Sequence, residues 1–159
     1  MPTASTADDP YAFLSSFDTV FLIDDSASMG WGNSWKETGD ALASITPICT
    51  AHDSDGIDVY FLNTKSAAHH RNITTAGQVI EIFQTVRPRG GTPTGQRLND
   101  ILKPYMKHFE ELKIKEREDE CKPLNVIVIT DGMPSDDVES VIVKVAQKLD
   151  QLEADPWQM

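Results

Sequence analysis

The sequence predicts an α/β fold with a mostly parallel sheet. Apolar segments rich in β-branched residues, at 19–24, 57–62 and 124–130, have the length and composition of buried strands. Between them, apolar residues recur every three or four positions, which is the spacing of amphipathic helices. Strands that alternate with helices are typical of parallel sheets, because parallel neighbours need a crossover connection. The chain has 159 residues, 40% of them hydrophobic, which is enough for one domain with its own core.

The N-terminal part predicts a polar segment, a strand and a helix. Residues 1–16 are mostly polar, and we expect a flexible segment there, with the domain itself spanning 17–159. The first strand is predicted at 19–24. Ser34 then stands where it could cap a helix. Pro47 lies inside this helical pattern and should kink or restart the helix.

The second strand is predicted at 57–62, after the turn-forming segment 53–56. Residues 66–73 are weakly patterned and indicate an edge strand or a loop. Thr74 or Thr75 is then expected to cap a short helix. The sequence therefore offers up to four strands.

The C-terminal half predicts two helices and the most apolar strand. A loop rich in glycine and proline, at 87–95, leads into a helix that Pro104 should bend. The charged stretch 113–122 is expected to be a solvated helix end and turn rather than a binding site. After the strand at 124–130, Ser135 opens a last helix whose apolar stripe has helical spacing.

Charge and composition restrict the function. The formal net charge of −11 argues against a site for nucleic acid or for an anionic membrane surface, since both demand basic residues. Metal ions or basic protein surfaces would be attracted instead. Residues 1–15 lack the features of a secretory leader, and Cys49 and Cys121 are expected to be free thiols. We therefore expect an intracellular protein, cytoplasmic or nuclear.

Oxygen-bearing side chains follow two predicted strands and a glycine loop. Asp24, Ser26 and Ser28 come directly after the first strand, and Asp131 follows the last one. Thr92 comes after a double glycine, which lets the backbone approach an ion closely. Ligands of open parallel sheets bind beyond the carboxyl ends of the strands. Carboxylates combined with neutral hydroxyls are hard donors that suit Mg²⁺ or Mn²⁺ and disfavour zinc.

Three motifs carry a resemblance to a known family. D-x-S-x-S begins at Asp24, Gly-Gly-Thr-x-Thr-Gly spans 90–95, and Thr-Asp-Gly follows an apolar strand at 130–132. In this order they resemble the metal-ion-dependent adhesion site of von Willebrand factor type A (vWA) domains. The likeness extends from about Phe17 to the last residue. It implies a doubly wound sheet with helices on both faces. It also implies one Mg²⁺ or Mn²⁺ ion, with these ligands: Asp24, Ser26, Ser28, Thr92 and Asp131.

The resemblance also implies a partner protein and a truncated domain. In the family the ion keeps one position open, and a carboxylate of a partner protein fills it. We therefore expect a binding module rather than an enzyme. The family's sheet is larger, so the chain is expected to be truncated and to lack the last strand–helix units. The strand at 124–130 would then be a bare apolar edge through which copies of the chain could self-associate.

Other interpretations of the motifs stay open. The loop after the first strand could be a turn held by capping side chains, and Thr92, Thr94 or Asp131 could cap helices or turns. A Mg²⁺-dependent hydrolase of phosphoesters is the main alternative function, but the glycine loop lacks the lysine of a phosphate-binding loop. An aspartyl phosphotransferase would need an aspartate where Ser26 stands, and a serine hydrolase would need G-x-S-x-G. A purely structural α/β domain is the third possibility.

Several residues near the motifs have less specific expectations. Asp25 is expected to be a solvated or capping side chain, with a supporting role at the metal as the alternative. Asp136 and Asp137 are expected at the N-terminus of the last helix, where a carboxylate is favourable. Trp31 fits either the core or an exposed contact beside the ion. The four histidines are expected at the surface.

Overall fold

The computed structural model describes residues 9–159, and within them the chain forms three strands and four α-helices. The strands are β1 (Asp18–Ile23), β2 (Asp58–Phe61) and β3 (Leu124–Ile129). The helices are α1 (Ser34–His52), α2 (Ala76–Thr85), α3 (Thr94–Ile114) and α4 (Val138–Gln151). The α/β fold predicted from the alternation of strand and helix patterns is confirmed.

The sheet is parallel, with β1 in the centre and the order β2-β1-β3. Val20 of β1 lies opposite Asp58 of β2, and Asp18 lies opposite Leu124 of β3. Since all the strands run in one direction, their carboxyl ends share one edge of the sheet. This edge is where the sequence predicts the metal ligands.

Successive residues of β1 pack into two different hydrophobic clusters. Phe21 and Ile23 belong to a cluster with side chains of α1 and α2, whereas Val20 and Leu22 pack with side chains of α3 and α4. Neighbouring side chains of a strand point to opposite faces of its sheet. Helices α1 and α2 therefore cover one face, and α3 and α4 cover the other.

The helix ends and the internal prolines agree only partly with the predictions. Thr75 caps α2: its hydroxyl accepts a hydrogen bond from the Gln78 amide at 3.3 Å, and the Gln78 side chain accepts one from the Thr75 amide at 3.0 Å. Pro47 and Pro104 lie inside α1 and α3, and both helices continue through them. Of the two effects expected at Pro47, a kink or a restart, the restart is therefore excluded, and the predicted helix is continuous.

The segment 66–73 is not a strand. Ala68–His70 forms a short 3-10 helix, and Ile73 makes a single antiparallel bridge with Ile57. His70 is only 2% exposed and lies edge-on to the Phe61 ring, with 5.5 Å between the ring centroids. The prediction that every histidine lies at the surface is thus wrong for His70. Burial, with a smaller effect of His69, lowers the pKa of His70 because a buried imidazolium is poorly solvated.

The expected flexible segment 1–16 lies partly outside the described residues, since 1–8 are not among them. Ala12–Ser16 forms a 3-10 helix that contacts α1. Cys49 and Cys121 are buried free thiols, and burial raises the pKa of both. Within residues 9–159, no helix combines the length and the apolar composition needed to cross a membrane.

Strand β3 forms one edge of the sheet. The Asp18 amide donates to the Pro123 carbonyl, and the Asp24 amide donates to the Ile129 carbonyl at 2.8 Å. In a parallel ladder the backbone groups of Val126 and Val128 then point away from β1. The predicted position of this strand at an edge of the sheet is confirmed for the described residues. Self-association through the edge stays a prediction.

Candidate metal-binding site

The loop after β1 brings three predicted ligands together. Asp24 is 1% exposed, and its Oδ1 accepts a hydrogen bond from the Ser26 amide at 2.8 Å. The chain then turns into a short 3-10 helix at Ala27–Gly30. Within this turn, the Oγ atoms of Ser26 and Ser28 lie 3.2 Å apart. The alternate spacing of the motif thus places one carboxylate and two hydroxyls side by side.

The loop after β3 joins this group at the same edge of the sheet. The Thr130 hydroxyl donates to Asp24 Oδ2 at 2.7 Å, and the Ser28 hydroxyl donates to Asp131 Oδ1 at 3.0 Å. Asp131 is exposed, whereas Asp24 is buried. Four of the predicted ligands therefore form one hydrogen-bonded cluster with a buried and an open side.

The glycine loop lies against both of the other loops. The Ala27 amide donates to the Gly90 carbonyl at 3.1 Å, and the Ser135 amide donates to the Thr92 carbonyl at 2.9 Å. Gly90 has a φ of +78°, and a Cβ there would lie 2.7 Å from Asn63 Oδ1. A glycine is therefore required at this turn. Thr92 contacts the loop after β3 through its backbone carbonyl, and its side chain makes no hydrogen bond with the other four predicted ligands among residues 9–159.

Asp25 is a buried hydrogen-bond acceptor, which its sequence does not predict. The side chain is fully buried, at 0% exposed. Its Oδ1 accepts hydrogen bonds from the amide and the side chain of Asn63, at 2.7 and 3.2 Å. Its Oδ2 accepts from the amide and the hydroxyl of Thr64, at 3.0 and 2.6 Å. Asp25 therefore ties the loop after β1 to the end of β2 and is not a solvated side chain.

Asp136 and Asp137 serve two different helices. Asp137 caps α4 as predicted, since its Oδ1 accepts from the Ser140 amide at 3.0 Å, and the hydrogen bonds from Ser140 lower the pKa of Asp137. Asp136 instead accepts from the amides of Gly95 and Gln96, at 2.7 Å each, and so caps α3. The expectation that both residues act on the last helix is wrong for Asp136. This contact holds the loop after β3 against the start of α3.

Two exposed apolar side chains follow the loops of the cluster, and a small cavity lies beside Asp131. Trp31 is 75% exposed and Met133 is 88% exposed, so Trp31 is not a core residue. Each follows a loop that carries predicted ligands. A cavity of about 310 Å³ lies between α1 and the end of β3, with Glu37 and Thr38 on one side and Asp131 on the other. The open side of the cluster therefore offers both apolar and polar contacts.

A second group of carboxylates lies at the opposite edge of the sheet. Asp18, Asp53 and Asp55 each place one oxygen within 4.8 Å of the others. The Lys122 ammonium lies 3.0 Å from Asp53 and 3.6 Å from Asp18, and so offsets part of their charge. Burial nevertheless raises the pKa of Asp18, because it disfavours the charged form more than Lys122 favours it. The sequence gives no sign of this group, because its members lie at the start of β1, at the end of α1 and in the turn that follows.

The structure thus collects Asp24, Ser26, Ser28 and Asp131 at the carboxyl edge of the sheet, and the Thr92 backbone is bonded to Ser135 in the loop that carries Asp131. All of these side chains offer oxygen donors. Carboxylate and hydroxyl oxygens suit a small, hard divalent cation. No model of a known protein family matches this chain, and no match was found among curated proteins.

Proposed function

We propose that this chain is a metal-dependent protein-binding module related to vWA domains, with their doubly wound architecture. It binds one Mg²⁺ or Mn²⁺ ion and uses it to hold a carboxylate of a partner protein. The ligands are the oxygens of five side chains: Asp24, Ser26, Ser28, Thr92 and Asp131. We propose binding without turnover, so the chain is not an enzyme.

The spacing of the oxygens is the observation that carries this proposal. Mg²⁺ prefers six oxygens in an octahedron at 2.0–2.1 Å, so neighbouring ligand oxygens should lie about 2.9 Å apart. The Oγ atoms of Ser26 and Ser28 are separated by 3.2 Å, and Ser28 Oγ lies 3.0 Å from Asp131 Oδ1. An ion could therefore replace these hydrogen bonds with only small shifts of the same atoms.

The charges and the surroundings favour a protein partner. Two carboxylates, Asp24 and Asp131, can offset the charge of the ion, and the other ligands are neutral hydroxyls. A further carboxylate would complete the coordination from the exposed side. Large exposed apolar side chains beside a polar site are typical of protein interfaces, and Trp31 and Met133 have this position.

Thermal unfolding with and without Mg²⁺ tests the metal site. A ligand at 100 times its Kd stabilises the folded state by about 2.7 kcal/mol. For a chain of this size, that should raise the Tm by about 5–10 °C. Asp131→Asn should abolish the increase in Tm, because it removes the charge of a proposed metal ligand. The fold should be retained, since this carboxylate is exposed and its hydrogen bond comes from the Ser28 hydroxyl. The matched control is Asp150→Asn, an exposed carboxylate in α4 that should keep the full increase.

A melting curve that stays unchanged in millimolar Mg²⁺ and Mn²⁺ would refute the metal site. Turnover of p-nitrophenyl phosphate that requires Mg²⁺ and disappears in Asp131→Asn would instead favour the phosphoester hydrolase. We expect no such turnover.

A further inference from the structure

A cavity lined by cationic side chains lies beside the metal-site loop. Its volume is about 340 Å³. Lys65, Arg87 and Arg89 line it together with His69 and the buried His70. Below, "the basic cavity" means the space bounded by these side chains. It lies between the segment after β2 and the segment after α2.

The three cationic residues of the basic cavity stand out in an acidic chain. The sequence has 14 lysines and arginines against 25 acidic residues. Lys65, Arg87 and Arg89 are all exposed. Among residues 9–159, none of the three has a carboxylate within ion-pair distance. Other exposed lysines, such as Lys103 and Lys107, share this property, but these three residues are distinguished by lining one cavity. Their charges are thus available to a ligand in solution.

Hydrogen bonds connect the basic cavity to the metal site. The Arg89 amide donates to the Asp25 carbonyl at 2.6 Å, and the Thr64 hydroxyl donates to the Asp25 carboxylate at 2.6 Å. Thr64 and Arg89 both line the cavity, and Asp25 is the residue after the predicted ligand Asp24. A peptide that reached the ion could therefore place its next side chains over the cavity.

We infer that the basic cavity receives an acidic segment of the partner protein, on one side of the carboxylate that binds the metal. This inference rests on the proposed function and specifies its partner: a segment with several Asp or Glu residues rather than a single one. The attraction is local, because charges beyond about 8 Å are largely screened at physiological salt. The net charge of −11 disfavours any polyanion at long range, and we expect a protein segment rather than nucleic acid because the proposed function places a protein carboxylate at the neighbouring metal site.

Fluorescence anisotropy with a labelled hexaglutamate peptide tests this assignment on the full chain. The comparison peptide carries one glutamate among five alanines. The variant Lys65→Gln/Arg87→Gln/Arg89→Gln removes the charges but keeps long polar side chains, and it leaves the Arg89 amide in place. The matched control is Lys103→Gln/Lys107→Gln/Lys144→Gln, which removes as many charges from exposed positions of α3 and α4. Each protein is measured in Mg²⁺ and in chelator.

In Mg²⁺ we expect the cavity variant to bind hexaglutamate at least tenfold more weakly, since each exposed ion pair contributes modestly. The control variant should bind like the unchanged chain, and the single-glutamate peptide should not distinguish the variants. Equal binding of hexaglutamate to all three proteins, or no binding at all, would overturn the inference. So would tighter binding of a twelve-nucleotide single-stranded DNA than of hexaglutamate.

The two proposals fail in different ways. If hexaglutamate binds equally in Mg²⁺ and in chelator, and the cavity variant does not bind it, the role of the basic cavity is supported and the metal-dependent function is refuted. If binding of hexaglutamate needs Mg²⁺ but is equally tight in the cavity variant, the metal-dependent function is supported and the role of the basic cavity is refuted.

Discussion

Replacing Asp25 with alanine should destabilise the chain far more than the loss of an ordinary aspartate. The Asp25 carboxylate is 0% exposed and accepts four hydrogen bonds from Asn63 and Thr64. Two of the donors are backbone amides, which cannot turn away to find another acceptor. The side chains of Asn63 and Thr64 are half-buried and can turn to water.

The magnitude follows from these two amides. A buried donor that loses its partner costs about 1–3 kcal/mol. Two of them give a loss of about 2–6 kcal/mol, within a total stability that is typically about 5–15 kcal/mol. Asp25→Asn keeps the shape and one acceptor oxygen, so its cost should lie below that of the alanine variant.

Urea unfolding followed by circular dichroism measures the effect, with equal m values required for the comparison. The control Asp150→Ala removes an exposed carboxylate in α4 and should change the free energy of unfolding by no more than about 0.5 kcal/mol. If Asp25→Ala costs less than about 1 kcal/mol, the two partly buried amides find other partners, and the prediction is refuted.

Three further predictions concern the α3 cap, a close backbone contact and a buried histidine. Asp136→Ala should lower the free energy of unfolding by about 0.5–2 kcal/mol, because two amides of the first turn of α3 lose their acceptor; urea unfolding measures it. Gly95→Ala should lower the Tm, since the new Cβ would lie 2.8 Å from the Asp137 carbonyl oxygen; a Tm equal to that of the unchanged chain would contradict this contact. The third prediction follows from the lowered pKa of His70. The unfolded chain binds a proton at His70 more readily, so stability should be lost as pH falls below about 6.5. His70→Gln should flatten the dependence of Tm on pH between 5 and 6.5, whereas the same change at the exposed His108 should not.

The positions of strands β1 and β3 could be predicted because each strand has a clear apolar pattern in its own sequence. Strands β1 and β3 were predicted to within a residue or so from their apolar, β-branched composition. The expected burial of β3 is wrong: only Leu124 is buried, and Ile127 and Val128 are 36% and 40% exposed, because, among residues 9–159, β3 has a neighbouring strand on one side only. The weak pattern of 66–73 left an edge strand or a loop open, and the structure excludes the strand: the segment holds a short 3-10 helix and a single bridge between Ile73 and Ile57.

The supporting contacts of the site could not be predicted in the same way. The grouping of Asp24 with Asp131 follows from strand direction alone. The acceptors Asp25 and Asp136, in contrast, depend on which amide donors the fold brings opposite them, at the end of β2 and the start of α3. The residues around such an aspartate do not indicate which amide groups will donate to its carboxylate.

The distance along the chain between the two strand-end loops has a consequence for folding kinetics. Ser28 and Asp131 are 103 positions apart, and Asp24 and Thr130 are 106 positions apart. Closing such a long loop costs entropy before any contact is gained, so the site forms only after β1 and β3 have paired. A ligand of the site then stabilises the completed chain but not the partly folded states before it. We therefore expect bound ligand to slow unfolding while leaving the folding rate nearly unchanged.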